Sequence, residues 1–311
     1  MRNETRGTVE LTLAMVLSGT LGIFVVESGA SPFDVVFFRC LFGAVALGAY
    51  SLARGFFTGH GFTPRKLGLA VLGGVFIVFN WALLFEAYEA TSISFATVVY
   101  HTQPFFLVLL GAVVLRERIS AAKLGWLGVA FAGLVLVSGV RPGDTASLQG
   151  LGLALGAAVL YALSTIVTKR ISGVRPHLVA LVQVTVGIPL LLPFADFGAA
   201  GRLGAGWGWL AGLGIIHTGV MYVLMYAAYA KLPTARIAVL AFTYPAVAML
   251  ADWAVYGHHI GLVQALGVPL IVLASLRVTL AGAPRGRVVA SAPRTGAHAP
   301  EAASPAATRS A

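Results

Sequence analysis

Charge is the scarcest thing in this sequence. Asp, Glu, Lys and Arg make up 10% of its 311 residues, whereas hydrophobic residues make up 58%. A soluble domain carries about 25% charged residues, and so few charges could not cover this much apolar surface in water. The composition excludes an ordinary soluble domain and implies a bilayer. Cysteine is almost missing too: Cys40 stands alone, which excludes an internal disulfide and a thiolate metal cluster. Inside its apolar run it reads as a small packed or lipid-facing residue. There are 11 Asp and Glu against 21 Lys and Arg, a formal net charge of +10. That surplus does not make a nucleic-acid surface, because the basic residues lie between apolar runs and in a tail rather than on one polar face. Nucleotide and catalytic motifs are absent. There is no Walker A loop, no His-Glu-x-x-His and no Gly-x-Ser-x-Gly, and Gly150-x-Gly152 has neither a preceding strand nor a correctly placed third glycine. His258-His259 has no carboxylate at ligand spacing. No cofactor, metal or enzymatic centre is expected.

Long apolar runs dominate what remains. About 20 apolar residues cross a ~30 Å hydrocarbon layer as a helix. By that length helices fall near 9–27, 33–53, 67–88, 91–115, 121–140, 149–169, 177–195, 208–230, 234–256 and 261–280. Breakers such as Ser31-Pro32, Thr63-Pro64, Pro142-Gly143 and Leu232-Pro233 separate them. The first run follows Arg2 and Arg6 as a signal peptide would, but it is long for one and has no small-x-small cleavage site, so it reads as a retained helix. Residues 283–311 are Ala, Pro, Ser and Arg with little to bury, and read as a disordered cytoplasmic tail. With the N-terminus inside, every Lys and Arg falls on the inner side except Arg141, Arg202 and the intramembrane Arg39. This bias persists loop after loop and places both termini in the cytoplasm. Arginine exceeds lysine and Ala and Gly are abundant, which suggests a bacterial inner membrane.

The two halves repeat. Ala87-Tyr88, Thr102 and Pro104 are matched 141 residues later by Ala228-Tyr229, Thr243 and Pro245, and Leu127-Gly128-Val129 is echoed by Leu266-Gly267-Val268. The expected architecture is all-α and polytopic, with ten transmembrane helices in two repeats, 9–140 and 149–280. A five-helix unit that starts inside ends outside, so its second copy must be inverted, an arrangement that recurs in transporters.

With these features the sequence resembles the EamA family of the drug/metabolite transporter superfamily. The likeness covers about 9–280 and rests on several marks: Pro32 and Pro176 leading the second helix of each half, Arg39 within the second helix, Asn80-Trp81-Ala82 in the third, and Pro104 followed by Glu117 in the fourth. It implies export or uptake of amino acids or other small metabolites. The second half departs from the first, with Gln183 where the first has Arg39 and His258 where it has Glu117.

Depth sorts the polar and aromatic residues. Trp207, Trp209, Trp253, Tyr256 and Tyr88 near outer ends, with Tyr50, Tyr226 and Tyr229 near inner ends, fit interfacial belts. Asn80, Trp81, Tyr100, His101, Gln103, Tyr161, Thr165, His217, Tyr222, Thr243 and Tyr244 fall near the midplane. Lipid offers these groups no hydrogen-bond partner, so they should face protein or a wet cavity. A substrate chamber between the repeats is the functional expectation, and interhelical hydrogen bonding is the plain alternative. Thr218, Tyr222, Tyr226 and Tyr229 share a helix face, as do Tyr161, Thr165 and Thr168. Mid-span Pro104 and Pro245 should free the carbonyls of Tyr100 and Ala241. Arg39 lies roughly 9 Å below the outer surface by helix rise and is expected to pair with Glu86 as a gate. Glu86 and Asp252 are the candidates for proton coupling. Glu117 reads as structural, and the Gly152/Gly156 and Gly208/Gly212 pairs as close-packing sites.

The function expected is secondary transport of a small organic metabolite across the inner membrane by alternating access, with an amino acid first and export the direction. Its partners are that small-molecule substrate and the lipid bilayer. A drug or other metabolite transporter, or an uptake carrier of the same fold, is the alternative. An intramembrane lipid-modifying enzyme is a remote one.

Overall fold

A computed structural model describes residues 2–114, 121–138, 145–232, 234–241, 243–259 and 261–282. The tail from 283, Glu117 and the Pro142-Gly143 breaker lie outside them. Every regular element among the described residues is helical. In chain order these are α1 (Arg2–Glu27), α2 (Pro32–Ala53), α3 (Pro64–Ala90), α4 (Ile93–Tyr100), α5 (Gln103–Val114), α6 (Ala121–Ser138), α7 (Thr145–Thr168), α8 (Pro176–Leu191), α9 (Phe197–Ala200), α10 (Gly206–Gly214), α11 (Met221–Tyr229), α12 (Thr234–Ala241), α13 (Thr243–Tyr256) and α14 (Leu262–Gly282). A 3₁₀ turn at Leu192–Phe194 extends α8, and a π-helical segment at Ile215–Val220 joins α10 to α11. Among the described residues, seven stretches are long and apolar enough to cross a membrane: Asn3–Glu27, Pro32–Ala53, Pro64–Ala90, Ile93–Gly111, Leu148–Thr168, Pro176–Phe194 and Gly206–Tyr229.

Local chemistry starts these helices. Ser31 accepts from the backbone N–H of Asp34, with Pro32 following it, and Thr63 does the same for Lys66 before Pro64. Each cap satisfies a donor the helix leaves free, and the proline costs none. The stretch expected as one helix over 91–115 is instead two. It turns at His101-Thr102 and restarts at Gln103, so Pro104 sits in a new first turn rather than kinking a continuous rod. In the second half Thr234–Ala241 and Thr243–Tyr256 are both helical, and Phe242 between them lies outside the described residues.

Packing partners come in reciprocal sets. α3 packs on α7 as α10 and α11 pack on α1; α4 and α5 meet α7 as α12 and α13 meet α1; α2 lies on α8 and α6 on α14. Named contacts give directions. Phe33 stacks on Phe194, Cys40 lies against Gly187 and Tyr50 packs on His177, so α2 and α8 run antiparallel. Gly133 faces Gly267 and Arg277 stands over Trp126, so α6 and α14 do too. α1 descends against α10 and α11 through Ser18–Met221, Thr20–His217 and Phe24–Trp209. It runs parallel to α12 and α13, from Glu4–Arg236 at one end to Glu27–Tyr256 at the other.

Glycine sets the closeness of these seams. A methyl on Gly156 would lie 3.2 Å from Leu83, and one on Gly212 would press on the Phe24 ring, so each expected small-residue pair contributes one packed member. Gly152 and Gly208 face open space instead. Gly214 is a tight approach between α10 and α2: an added Cβ would stand 2.7 Å from the Gly43 backbone nitrogen and 2.9 Å from the Phe42 carbonyl carbon. Backbone cannot yield as a side chain can. Gly214→Ala should therefore destabilise the detergent-solubilised protein by about 1–3 kcal/mol, read as a lowered thermal midpoint, while Gly208→Ala should leave the midpoint unchanged.

Candidate functional site

One cavity of about 220 Å³ lies inside the bundle between the halves. The first half supplies Met15, Ser18, Leu21, Arg39, Trp81, Leu84, Phe85, Tyr100, His101 and Gln103, and the second supplies Tyr161, Met221, Tyr222, Met225, Tyr229, Ala241 and Tyr244. Larger hollows of about 580 and 400 Å³ occur elsewhere, one beside α13 and α14 and one beside α5 and α6. Their linings are dominated by apolar side chains such as Leu250 and Phe131, surface that lipid would cover.

Arg39 is the sole ionised side chain on the cavity wall. It is 2% exposed, and a lone cation at mid-span costs about 2.5–3.5 kcal/mol on insertion scales. Two contacts offset that. Its Nε donates to Thr218 Oγ1 at 3.0 Å, and its guanidinium stands 3.9 Å from the centroid of the Trp81 ring, with Phe85 at 5.7 Å. A desolvated cation over indole gains about 2 kcal/mol. The Arg39 Nη1 keeps no hydrogen-bond partner.

Thr218 can serve Arg39 because of the π segment. The wider turn lets its hydroxyl donate to the carbonyl of Leu213, five residues back, at 3.2 Å, while the same oxygen accepts from Arg39. Such turns recur at functional sites. Gly43 lets α2 approach: a Cβ there would lie 2.7 Å from the Thr218 methyl carbon.

Of the midplane residues, Trp81, Tyr100, His101, Gln103, Tyr161, Tyr222 and Tyr244 meet on this wall. Asn80 stands one layer behind it. Its Nδ2 donates to the Ala157 carbonyl at 2.6 Å, and its amide meets the Tyr100 hydroxyl at 3.3 Å. The remaining three lie elsewhere. Thr165 bonds back to the Tyr161 carbonyl at 2.8 Å. His217 is buried against the Phe24 ring and shares a 3.2 Å hydrogen bond with Thr20. Thr243 is half-buried at the start of α13.

The acidic expectations need correcting. Arg39 pairs with Thr218 and Trp81, not with Glu86, which is half-buried and follows Phe85 by one residue, about 100° around α3. Asp252 is fully buried, but it caps α4 by accepting from the Ser94 backbone N–H at 3.0 Å, and its other oxygen accepts from His258 Nδ1 at 3.0 Å. Neither acid lines the cavity. Tyr88, expected in an interfacial belt, is 4% exposed in the core, and Tyr229 lines the cavity as well as standing near a helix end.

Other groups went unread. Glu10, 9% exposed, bonds Lys231 at a very short separation and Arg6 at 3.0 Å, tying the start of α1 to the end of α11. An acid with a basic residue four positions earlier was the available signal. Met15, Met221 and Met225 on the wall had none, since a methionine suits lipid, core or ligand equally.

The fold and wall define an all-helical, polytopic membrane protein with an aromatic cavity lined by residues of both halves. The chain belongs to the EamA-like transporter family, whose model matches residues 6–139 and 148–280. Among its relatives, the uncharacterized transporter YxxF of Bacillus subtilis is 33% identical over 90% of this chain and 91% of its own. The pseudopaline exporter CntI of Pseudomonas aeruginosa is 25% identical over 68% and 74% of the two chains. A protein of Salmonella typhimurium described as a probable amino-acid metabolite efflux pump is 35% identical over 32% of this chain and 34% of its own. A solved crystal structure shares the fold, with a TM-score of 0.60 over 89% of this chain and 97% of that one at 20% identity. Family and relatives point to a transporter rather than an enzyme.

Thr218→Val should lower thermal stability by about 1–3 kcal/mol, because it leaves Arg39 Nε as a second buried donor without an acceptor. Thr218→Ser keeps the hydroxyl and should recover most of that loss in the same melt.

Proposed function

We propose that the protein is a secondary transporter that exports a small organic metabolite, an amino acid or a close relative, across the cytoplasmic membrane. The observation that carries this reading is the cavity lined from both halves by phenols, an indole, amide and imidazole groups, and methionines. A wall with both apolar faces and hydrogen-bonding tips suits a small amphiphilic solute. The relatives described as exporters and efflux pumps support the direction.

The proposed topology is ten crossings in two inverted repeats, 9–140 and 149–280, with both termini cytoplasmic. The antiparallel pairing of α2 with α8 and α6 with α14 supports the inversion, and the basic loops support the orientation. Alternating access then follows as rocking of one repeat on the other around the cavity. The seam of α1 with α12 and α13 carries polar clasps at its two ends. Glu4 meets Arg236 at 3.1 Å, next to the Glu10–Lys231 pair, and Glu27 accepts from the Tyr256 hydroxyl at 2.9 Å. Opening one end while the other stays clasped gives the two accessible states. No carboxylate lines the cavity, so this proposal places no coupling proton on its wall.

Efflux from amino-acid-overproducing cells, followed by flux in proteoliposomes of the purified protein, tests this. At least one amino acid or related metabolite should move down an imposed gradient, and Tyr100→Ala and Asn80→Ala should each reduce the rate about tenfold at equal membrane levels. A protein that moves no solute under any gradient but modifies a lipid is not a transporter.

A further inference from the structure

We propose that Arg39 is the anion anchor of the cavity, holding the carboxylate of a zwitterionic solute whose ammonium group bonds Gln103. This rests on the transport reading and adds which atoms recognise which end of the substrate.

Two orphaned polar atoms carry it. Arg39 Nη1 is buried and bonded to nothing, although the side chain lines the cavity and its Nε is held by Thr218. Gln103 Oε1, on the same wall, is a buried acceptor with no donor. Unpartnered buried polar groups are uncommon and each calls for a cause. Here one is a cationic donor and the other a neutral acceptor, and both side chains line the same cavity. An α-amino acid presents the complement: a carboxylate that accepts and an ammonium that donates. Among the described residues the wall holds no Asp or Glu to neutralise Arg39, which suits a ligand that brings the counter-charge.

The second half sharpens the contrast. Gln183, which stands in α8 where the first half has Arg39, is satisfied, its Nε2 donating to Thr168 Oγ1 at 2.9 Å. Arg39 has its position fixed by Trp81 at 3.9 Å and by Thr218, while its Nη1 has no hydrogen-bond partner. A fork held at Nε can meet a carboxylate with its remaining donors, a geometry that lysine's point charge does not reproduce.

The test is binding by the full-length protein in detergent, read by tryptophan fluorescence and by thermal shift. The probes are L-leucine, L-methionine, L-phenylalanine and L-threonine, each beside its carboxamide, the amine that lacks the carboxylate, and the deaminated acid. At least one amino acid should bind saturably, with its carboxamide about tenfold weaker or worse, the difference that loss of one charge-assisted hydrogen bond makes. Arg39→Gln should erase that preference and Arg39→Lys should restore part of it. Gln103→Leu should erase the preference for the amino acid over its deaminated acid. The acid-versus-amide comparison on the unaltered protein needs no variant to fold. Equal binding of acid and amide, or no binding of any probe with a carboxylate, overturns the proposal. The two readings fail separately. Flux of some other solute in proteoliposomes, with no amino acid bound, would leave transport standing and remove the anchor. Arg39-dependent binding with no flux would do the reverse.

Discussion

Lipid offers a polypeptide no hydrogen bonds, and this deprivation governs the structure. A backbone group or polar side chain at membrane depth must be satisfied by protein or must face a wet space. Irregular backbone is therefore expensive everywhere except beside a cavity. The turn at His101-Thr102 separates Tyr100 from Gln103, and Tyr100, His101 and Gln103 line the cavity. Ala241 and Tyr244 line it as well. The π segment at Ile215–Val220 ends next to Met221 and Tyr222 on the same wall. Two departures from plain α-helix, the turn and the π segment, adjoin one hollow.

The same deprivation explains Arg39. A cation in this position is retained only with compensation, and the compensation is assembled from three helices: the Thr218 hydroxyl from the π segment, the Trp81 face from α3, and close approach through Gly43 of α2. None of these supplies a negative charge. Antiparallel seams hold the three in place. Gly187 lets α8 close on the Cys40 and Val78 side chains, and Gly214 lets α10 approach the α2 backbone at Phe42 and Gly43. A bundle without a hydrophobic driving force between its helices depends on such close packing.

Much of this was legible in the sequence and some was not, for identifiable reasons. Length and hydropathy sufficed for the helical class, because apolar runs of about 20 residues have few other fates. A polar or aromatic residue inside such a run must have a protein-side reason, and so seven of the eleven midplane residues do share the cavity wall. Depth says nothing of azimuth, however. Glu86 and Arg39 lie at similar depth on faces that do not meet, and Tyr88 lies at belt depth but points into the core. Asp252 looked like an unpaired acid because its partners, the Ser94 backbone and His258, come from a different helix and from beyond the end of its own. The π segment carries no proline or other breaker, only Gly214 and Gly219 around it, and cannot be told from α-helix by pattern. Glu10 sits at the start of an apolar run, where Arg6 four positions earlier is its one mark in the sequence and its partner Lys231 lies in the other half.

Spin-label distances at the two ends of the α1 seam test the central claim, that one cavity opens alternately between two antiparallel halves. One label pair would sit at Asn3 and Ala230 and the other at Val26 and Val255, all exposed, in a Cys40→Ser background and with a transported solute added. The account predicts that one distance lengthens as the other shortens when solute binds. Two distances that stay fixed, or that lengthen together, would contradict it.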